Sequence, residues 1–168
     1  MKKEVFLVDE LKAIYRLAKE HEENAPESEE EMYNDYYGEF EEPISRKTIA
    51  SILKKIDKRL PTEETQKINK NFLRRRYHTF NNYVSEKTYT TLKKALKHLK
   101  TAEIKYFNMD SAEFGTRSLN VYYTSSKYTI GYCHLRKAIR KFRTSRIASA
   151  KITASSYKIP KNFNKNDY

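Results

Sequence analysis

Near Thr101 the apolar residues change their spacing, and this change limits what the chain can fold into more than any other feature. Before it, Leu7, Leu11, Ile14, Tyr15 and Ala18 recur at i, i+4, i+7, i+8 and i+11, the stripe of an amphipathic helix over about residues 5–20. After it, Ile104 and Tyr106, and later Tyr122, Tyr128, Ile130 and Tyr132, alternate with polar or small neighbours, as half-buried strands do. A helical front and a β-rich back make an α+β chain. Its 168 residues allow one ordinary domain or two small ones, and the sequence divides most naturally into 1–84 and 85–168.

Within the front part, Ser28 and Glu31 form a capping box ahead of Met32, Tyr33, Tyr36 and Tyr37, which predicts a second helix over 29–37 that stops at Gly38. Glu39 to Pro43 must turn, because proline forbids helical continuation. Ser45 then offers an N-cap to the most regular helix, with Ile49, Ile52, Leu53, Ile56 and Leu60 on one face and Pro61 as its stop. The other face carries Arg46, Lys47, Ser51, Lys54, Lys55, Lys58 and Arg59. Cations at a helix N-terminus oppose the macrodipole, so an anion belongs beside Arg46 and Lys47. A helix after a turn that opens Ser45-Arg46-Lys47-Thr48 suits a helix-turn-helix, whose N-terminal residues face bases and phosphates in the major groove.

Thr62-Glu63-Glu64 could start a further helix, and the run from Phe72 to Phe80, with Arg74, Arg75 and Arg76 between aromatics, fits a wing hairpin or a strand linker that touches phosphates. Ser85 could cap the next helix, striped by Tyr89, Leu92, Ala95, Leu96 and Leu99 and ending near Lys100. Strands are expected near 102–107, 116–123, 127–133 and 146–155, in a small, strongly bent sheet. Periodicity also allows a helix from His134 to Ile147, which would decide whether Arg136, Arg140 and Arg143 share a face.

Charge separates the same two regions. Residues 1–43 carry 5 Lys/Arg against 14 Asp/Glu, while residues 44–168 carry 29 against 8, so the net +12 conceals a front of −9 and a back of +21. Such a field attracts polyanions and hastens their arrival. No apolar run approaches the roughly 18 residues a membrane span needs, and mean hydropathy is −0.91, so a soluble, cytoplasmic protein is expected. Cys133 has no partner for a disulfide, and His21, His78, His98 and His134 lack metal-ligand spacing, so neither metal nor cofactor is expected. Three glycines, none in a phosphate-cradling loop, and no Ser-His-Asp spacing argue against an enzyme. Cys133 beside His134 is no dyad, since adjacent strand residues point to opposite faces.

The segment from Lys127 to Ile147 resembles the heart of the WYL domain. That family reads tryptophan-tyrosine-leucine, a small residue and a tyrosine or cysteine, then R-x-x-x-R-x-F-R-x-x-R-I. Arg136, Arg140, Phe142, Arg143, Arg146 and Ile147 match in register, and Tyr128 keeps the centre of the triplet, with Lys127 and Thr129 in place of tryptophan and leucine. The resemblance extends over about residues 91–155, and Ile44 to Ile49 is similar to the start of the recognition helix in the winged helix-turn-helix that many such proteins carry in front. It implies a small Sm-like or SH3-like β-barrel that binds a regulatory ligand, often nucleic acid or nucleotide, through clustered arginines. This would be a short form, without the long linker and C-terminal extension common in the family.

Guanidinium forks bind phosphoryl oxygens bidentately and stack on bases, so Arg136, Arg140, Arg143 and Arg146, with Tyr128, Tyr132 and His134, are the candidate ligand residues. Residues 127–155 contain no Asp or Glu to pair with them. Ser45, Arg46, Lys47, Thr48, Ser51, Lys54, Lys55, Arg74, Arg75 and Arg76 are the candidate DNA contacts. The first reading is a homodimeric transcriptional regulator that binds duplex DNA and senses a nucleotide or nucleic acid. The second is a compact accessory or inhibitor protein, of a mobile element or defence system, that holds single-stranded nucleic acid or a protein partner. A structural interaction protein, whose charge serves an acidic partner, is the third.

Overall fold

A computed structural model describes residues 6–24, 44–78 and 84–168. The chain forms two compact units, Met1–Phe72 and Leu73–Tyr168. Their division falls inside a helix.

The first unit contains α1 (Val8–Asn24), α2 (Arg46–Asp57) and the start of α3 (Thr62–His78). The stripe expected over 5–20 is α1, and the helix expected over 29–37 lies outside the described residues. Leu11 and Tyr15 pack with Ile49, Leu53 and Ile56 of α2, Leu60 and Ile68, with Ile14, Ile52 and Phe72 at the margin. Each such aliphatic side chain contributes about 1.5–3 kcal/mol on full burial. The seam is fastened at its edge, where Lys12 bonds Glu64 at 3.1 Å and the Tyr15 hydroxyl donates to Asn69 Oδ1 at 3.2 Å. The Glu64 carboxylate, more than any other neighbour, holds the Lys12 ammonium above its ordinary range.

Ser45 is the N-cap of α2: its backbone is extended (φ −62°, ψ 147°) and its Oγ accepts from the Thr48 amide at 3.2 Å. Residues 62–78 form one helix, so the basic run from Phe72 is no wing hairpin or strand linker as far as His78. Its apolar positions are sparse: Thr65 and Ile68 are its buried residues, and that thin stripe hides the helical period.

Among the described residues, the second unit contains the last turns of α3, helix α4 (Glu86–Lys97) and five strands: β1 (Lys100–Asn108), β2 (Glu113–Thr124), β3 (Tyr128–Cys133), β4 (Ala138–Arg143) and β5 (Ile147–Ser156). All pair antiparallel in the order β4-β3-β2-β1-β5. Leu92 and Ala95 of α4 close over Ala102, Ile104, Leu119, Val121, Cys133, Phe142 and Ile147. The segment that periodicity left between helix and strand is a tight turn and then β4. The fold is thus α+β. The expected barrel is an open sheet, with β4 and β5 as edges and no ladder between them. Among the described residues, no helix is long and apolar enough to cross a membrane.

Two local features fix the register. A bulge after Val121 shifts the β2–β3 pairing, so that Val121 faces Gly131 but Tyr123 faces Ile130. Gly131 is required there, since a Cβ would lie 2.1 Å from the Asn120 carbonyl oxygen.

Candidate nucleic-acid interface

On α2, Ile49, Leu53 and Ile56 are buried while Arg46, Lys47, Thr48, Ser51, Lys54 and Lys55 are exposed. A step of 100° per residue sets Lys47, Ser51, Lys54 and Lys58 along the line directly opposite the core, with Lys55 flanking it and Arg46 at the edge of the buried face. The first turn contains no acid, and the Ser45 hydroxyl already occupies the Thr48 amide. Among the described residues none of Lys47, Lys54, Lys55 and Lys58 is ion-paired.

The arginines after α2 have other work. Arg74 donates from Nε to the Met109 carbonyl at 3.2 Å and from Nη2 to the Asp110 carbonyl at 2.9 Å, closing the β1–β2 turn. Tyr77 stacks on Phe107 at 4.6 Å and meets Phe114 edge-on at 5.6 Å, so this half-buried aromatic is held in a ring cluster within its unit. Arg75 and Arg76 are exposed. Phe80 lies outside the described residues.

The WYL-like arginine series separates into two sets. Arg143 donates from Nη1 to the His78 carbonyl at 2.7 Å and Arg146 from Nε to the Tyr77 carbonyl at 3.3 Å, so both meet the last carbonyls of α3, its partially negative end. Arg136, in the β3–β4 turn, and Arg140, on β4, are exposed. Strand alternation turns Arg140 and Arg143 to opposite faces of β4, so the four arginines do not form one patch. Between Arg143 and Arg146, the Ser145 hydroxyl is buried with no hydrogen-bond partner among the described residues.

The tyrosines and His134 lie beside these cations. Lys141 Nζ sits 4.6 Å from the centre of the half-buried Tyr128 ring. Tyr132 and His134 meet edge-on at 5.4 Å, and His134 Nε2 lies 2.9 Å from Asn120 Oδ1, which also accepts from Thr101. The two departures from the family triplet also find places. Lys127 is exposed, and Thr129 is wholly buried, its hydroxyl linked to Thr124 at 3.0 Å and to Thr144 at 3.1 Å. Thr144 passes the chain on to the Ser125 carbonyl at 2.8 Å.

Sequence reasoning missed an aromatic assembly on the sheet. Leu119, Val121, Cys133 and Phe142 point into the core, so the pleat turns Tyr132 and Lys141 the other way, and the bulge brings Tyr123 round with them. Across that face runs the segment Tyr157–Tyr168. The Tyr157 hydroxyl donates to the Val121 carbonyl beside the bulge, and Tyr157 and Phe163 pack against Tyr122 at 5.8 and 5.2 Å. Burial, then the neighbouring Tyr132 and Tyr168, push the Tyr122 phenol above its ordinary range. The adjacent Tyr122-Tyr123 pair was the available signal, because neighbouring strand residues share a face only at an irregularity.

A family model described as the WYL domain matches residues 87–152. No curated protein matches the chain. Among solved structures, the chain is similar to Proteasome accessory factor B/C (PafBC) of Arthrobacter aurescens, at 16% identity and a TM-score of 0.39, over 90% of this chain and 21% of that one. This chain therefore spans about a fifth of that protein's length. The stretch from the first turn of α4 into β5 is where the chain matches the WYL domain, which bears out the resemblance carried by Tyr128 and by Arg136 through Ile147.

Proposed function

We propose that this protein is a non-enzymatic, nucleic-acid-binding regulator, in which α2 lies against duplex DNA and the WYL-like sheet takes a nucleotide or nucleic acid. The observation that carries the reading is the outward line of α2, where Lys47, Lys54 and Lys58 run opposite a buried seam with no ion pair among the described residues. Lysines there gain from phosphates what no acid of the described chain supplies, and Arg46, Lys47 and Thr48 occupy the helix start that faces base edges in helix-turn-helix docking. On the sheet, Arg136 and Arg140 are the exposed arginines of the family motif, and His134 is exposed as well.

Binding to labelled duplex DNA across a salt series tests this. Arg46→Ala/Lys47→Ala should weaken duplex binding and lower the slope of log K against log salt by roughly 1 per lost phosphate contact. Arg136→Ala/Arg140→Ala should leave duplex binding in place and weaken nucleotide or single-strand binding. A helix variant with unchanged duplex affinity would sink the proposal.

A further inference from the structure

We infer that the groove between the start of α1 and the end of α2 is a docking site for an acidic amphipathic helix of a partner protein. The groove lies within the helical unit, and it takes no part in the sheet or the arginine series.

Its floor is apolar. Phe6, Leu11 and Ile14 on one side and Ile56 on the other bound a volume of about 510 Å3, in the range of about 300–1,000 Å3 that binding pockets occupy. Leu11 and Ile56 belong to the buried seam, whereas Phe6 is 55% exposed, and its neighbours Leu7 and Val8 are 70% and 46% exposed. The Leu7 amide donates to the Glu10 carboxylate at 2.7 Å, which holds this apolar corner at the entry to α1. Large apolar side chains gathered in water at a groove mark a surface that a partner covers.

The rim is cationic. Lys55, Lys58 and Arg59 line the groove and no acid does. The helical turn continues past Asp57, since Lys58 keeps helical angles (φ −69°, ψ −15°) and the Leu60 amide donates to the Ile56 carbonyl at 3.0 Å. At 100° per residue, Arg59, Lys55 and Lys58 therefore fall on one flank of Ile56, and Asp57 on the other. Among the described residues none of these three cations is ion-paired. A spacing of i, i+3 and i+4 makes a row. A helix with acids at the same spacing meets every member of that row, while its apolar anchors at i, i+4 and i+7 fill the floor.

Other occupants fit less well. A single anionic head group would meet one end of the row, and a nucleic acid has no apolar side chain for the floor. A second copy of this face would set like charge against like. The chain's own acidic stretch, eight Asp/Glu and no Lys/Arg over residues 25–43, joins the opposite ends of the two helices, about 20 Å from Leu11 along α1. Lys58 also stands in the outward line of α2, so an occupant would compete with duplex DNA where the reading proposed above holds; the groove does not depend on that reading.

The test is fluorescence anisotropy on the full chain, without DNA, using two labelled amphipathic helical peptides of equal length. Both carry Leu and Phe at i, i+4 and i+7; one has Glu on its polar face and the other Lys. The Glu peptide should bind and the Lys peptide should not. Phe6→Ala should weaken Glu-peptide binding by about 10-fold or more, as the loss of an anchoring aromatic contact does. Lys55→Glu/Arg59→Glu should reject the Glu peptide and accept the Lys peptide, an exchange that a misfolded variant cannot show. Equal affinity for the two peptides, or unchanged affinity in the Phe6 variant, would overturn the inference. So would Glu-peptide binding that appears only after residues 27–42 are replaced by a glycine-serine linker, which would give the groove to the chain's own acidic stretch. A dimer in sedimentation that Phe6→Ala dissolves would give it to a second copy, and capture on anionic vesicles in place of peptide binding would give it to a membrane surface; either result overturns the inference as well.

Discussion

The two units use the same kind of residue in opposite ways. In the helical unit Lys47, Lys54 and Lys55 of α2 stand outward from a single apolar seam. In the sheet unit Arg74, Arg143 and Arg146 are turned onto backbone carbonyls, closing one turn and receiving the end of α3. Basic charge therefore means different things in the two places: on α2 the lysines are exposed surface, and around β4 several arginines hold the fold together. A motif rich in arginine need not be a binding site along its whole length.

The comparison can be broken in three ways, taken from the largest expected effect. Gly131→Ala should cost about 3 kcal/mol or more, since the added carbon meets backbone rather than a movable side chain. Urea unfolding followed by circular dichroism should show the loss in the sheet. Next, Arg143→Ala and Arg146→Ala should each destabilise by about 1.5–3 kcal/mol, as the loss of charge-assisted hydrogen bonds does. Lys47→Ala and Lys54→Ala should stay within about 0.5 kcal/mol in the same urea unfolding, as surface changes do. Equal costs in the two units would end the distinction.

The smallest effect is one of pH. Burial foremost, then the nearby Tyr122, push the Tyr157 phenol up to about 12 from 10.0. The folded state thus retains this proton more firmly than the unfolded chain does. Its stabilising contribution is whole below pH 10 and is lost as pH rises through about 12. An ultraviolet titration of the tyrosines should show a late step that Tyr157→Phe removes; a titration without that step would place the phenol in water.

What the sequence made legible follows from how strongly each element marks its period. Helix α2 declared itself through Ser45 and four apolar positions, and the structure seats that cap on Thr48. Strand β3 alternated clearly enough to be placed within a residue. Strand β4 did not, because an edge strand buries one side chain, Phe142, and one buried residue fits either period. Helix α3 was obscured by its sparse apolar stripe, and a run of three arginines drew a reading of contact with DNA where Arg74 serves a turn. The candidate site was legible as residue types and less so as geometry. Arg140 and Arg143 belong to one motif yet face apart, which only the choice of strand over helix decides. The aromatic face was hidden because it depends on a bulge and on a segment 35 residues or more further along the chain.

Thr129 stands where the family triplet has leucine, and its hydroxyl belongs to a chain that links Thr124, Thr144 and the Ser125 carbonyl. In a dry interior such hydroxyls depend on one another, since removing one leaves its neighbours unpaired. Leucine at 129 would therefore be a poor fit while Thr144 remains, and an apolar residue at 144 a poor fit while Thr129 remains. The two positions therefore form a single energetic unit: exchanging either one alone should cost more than exchanging both together.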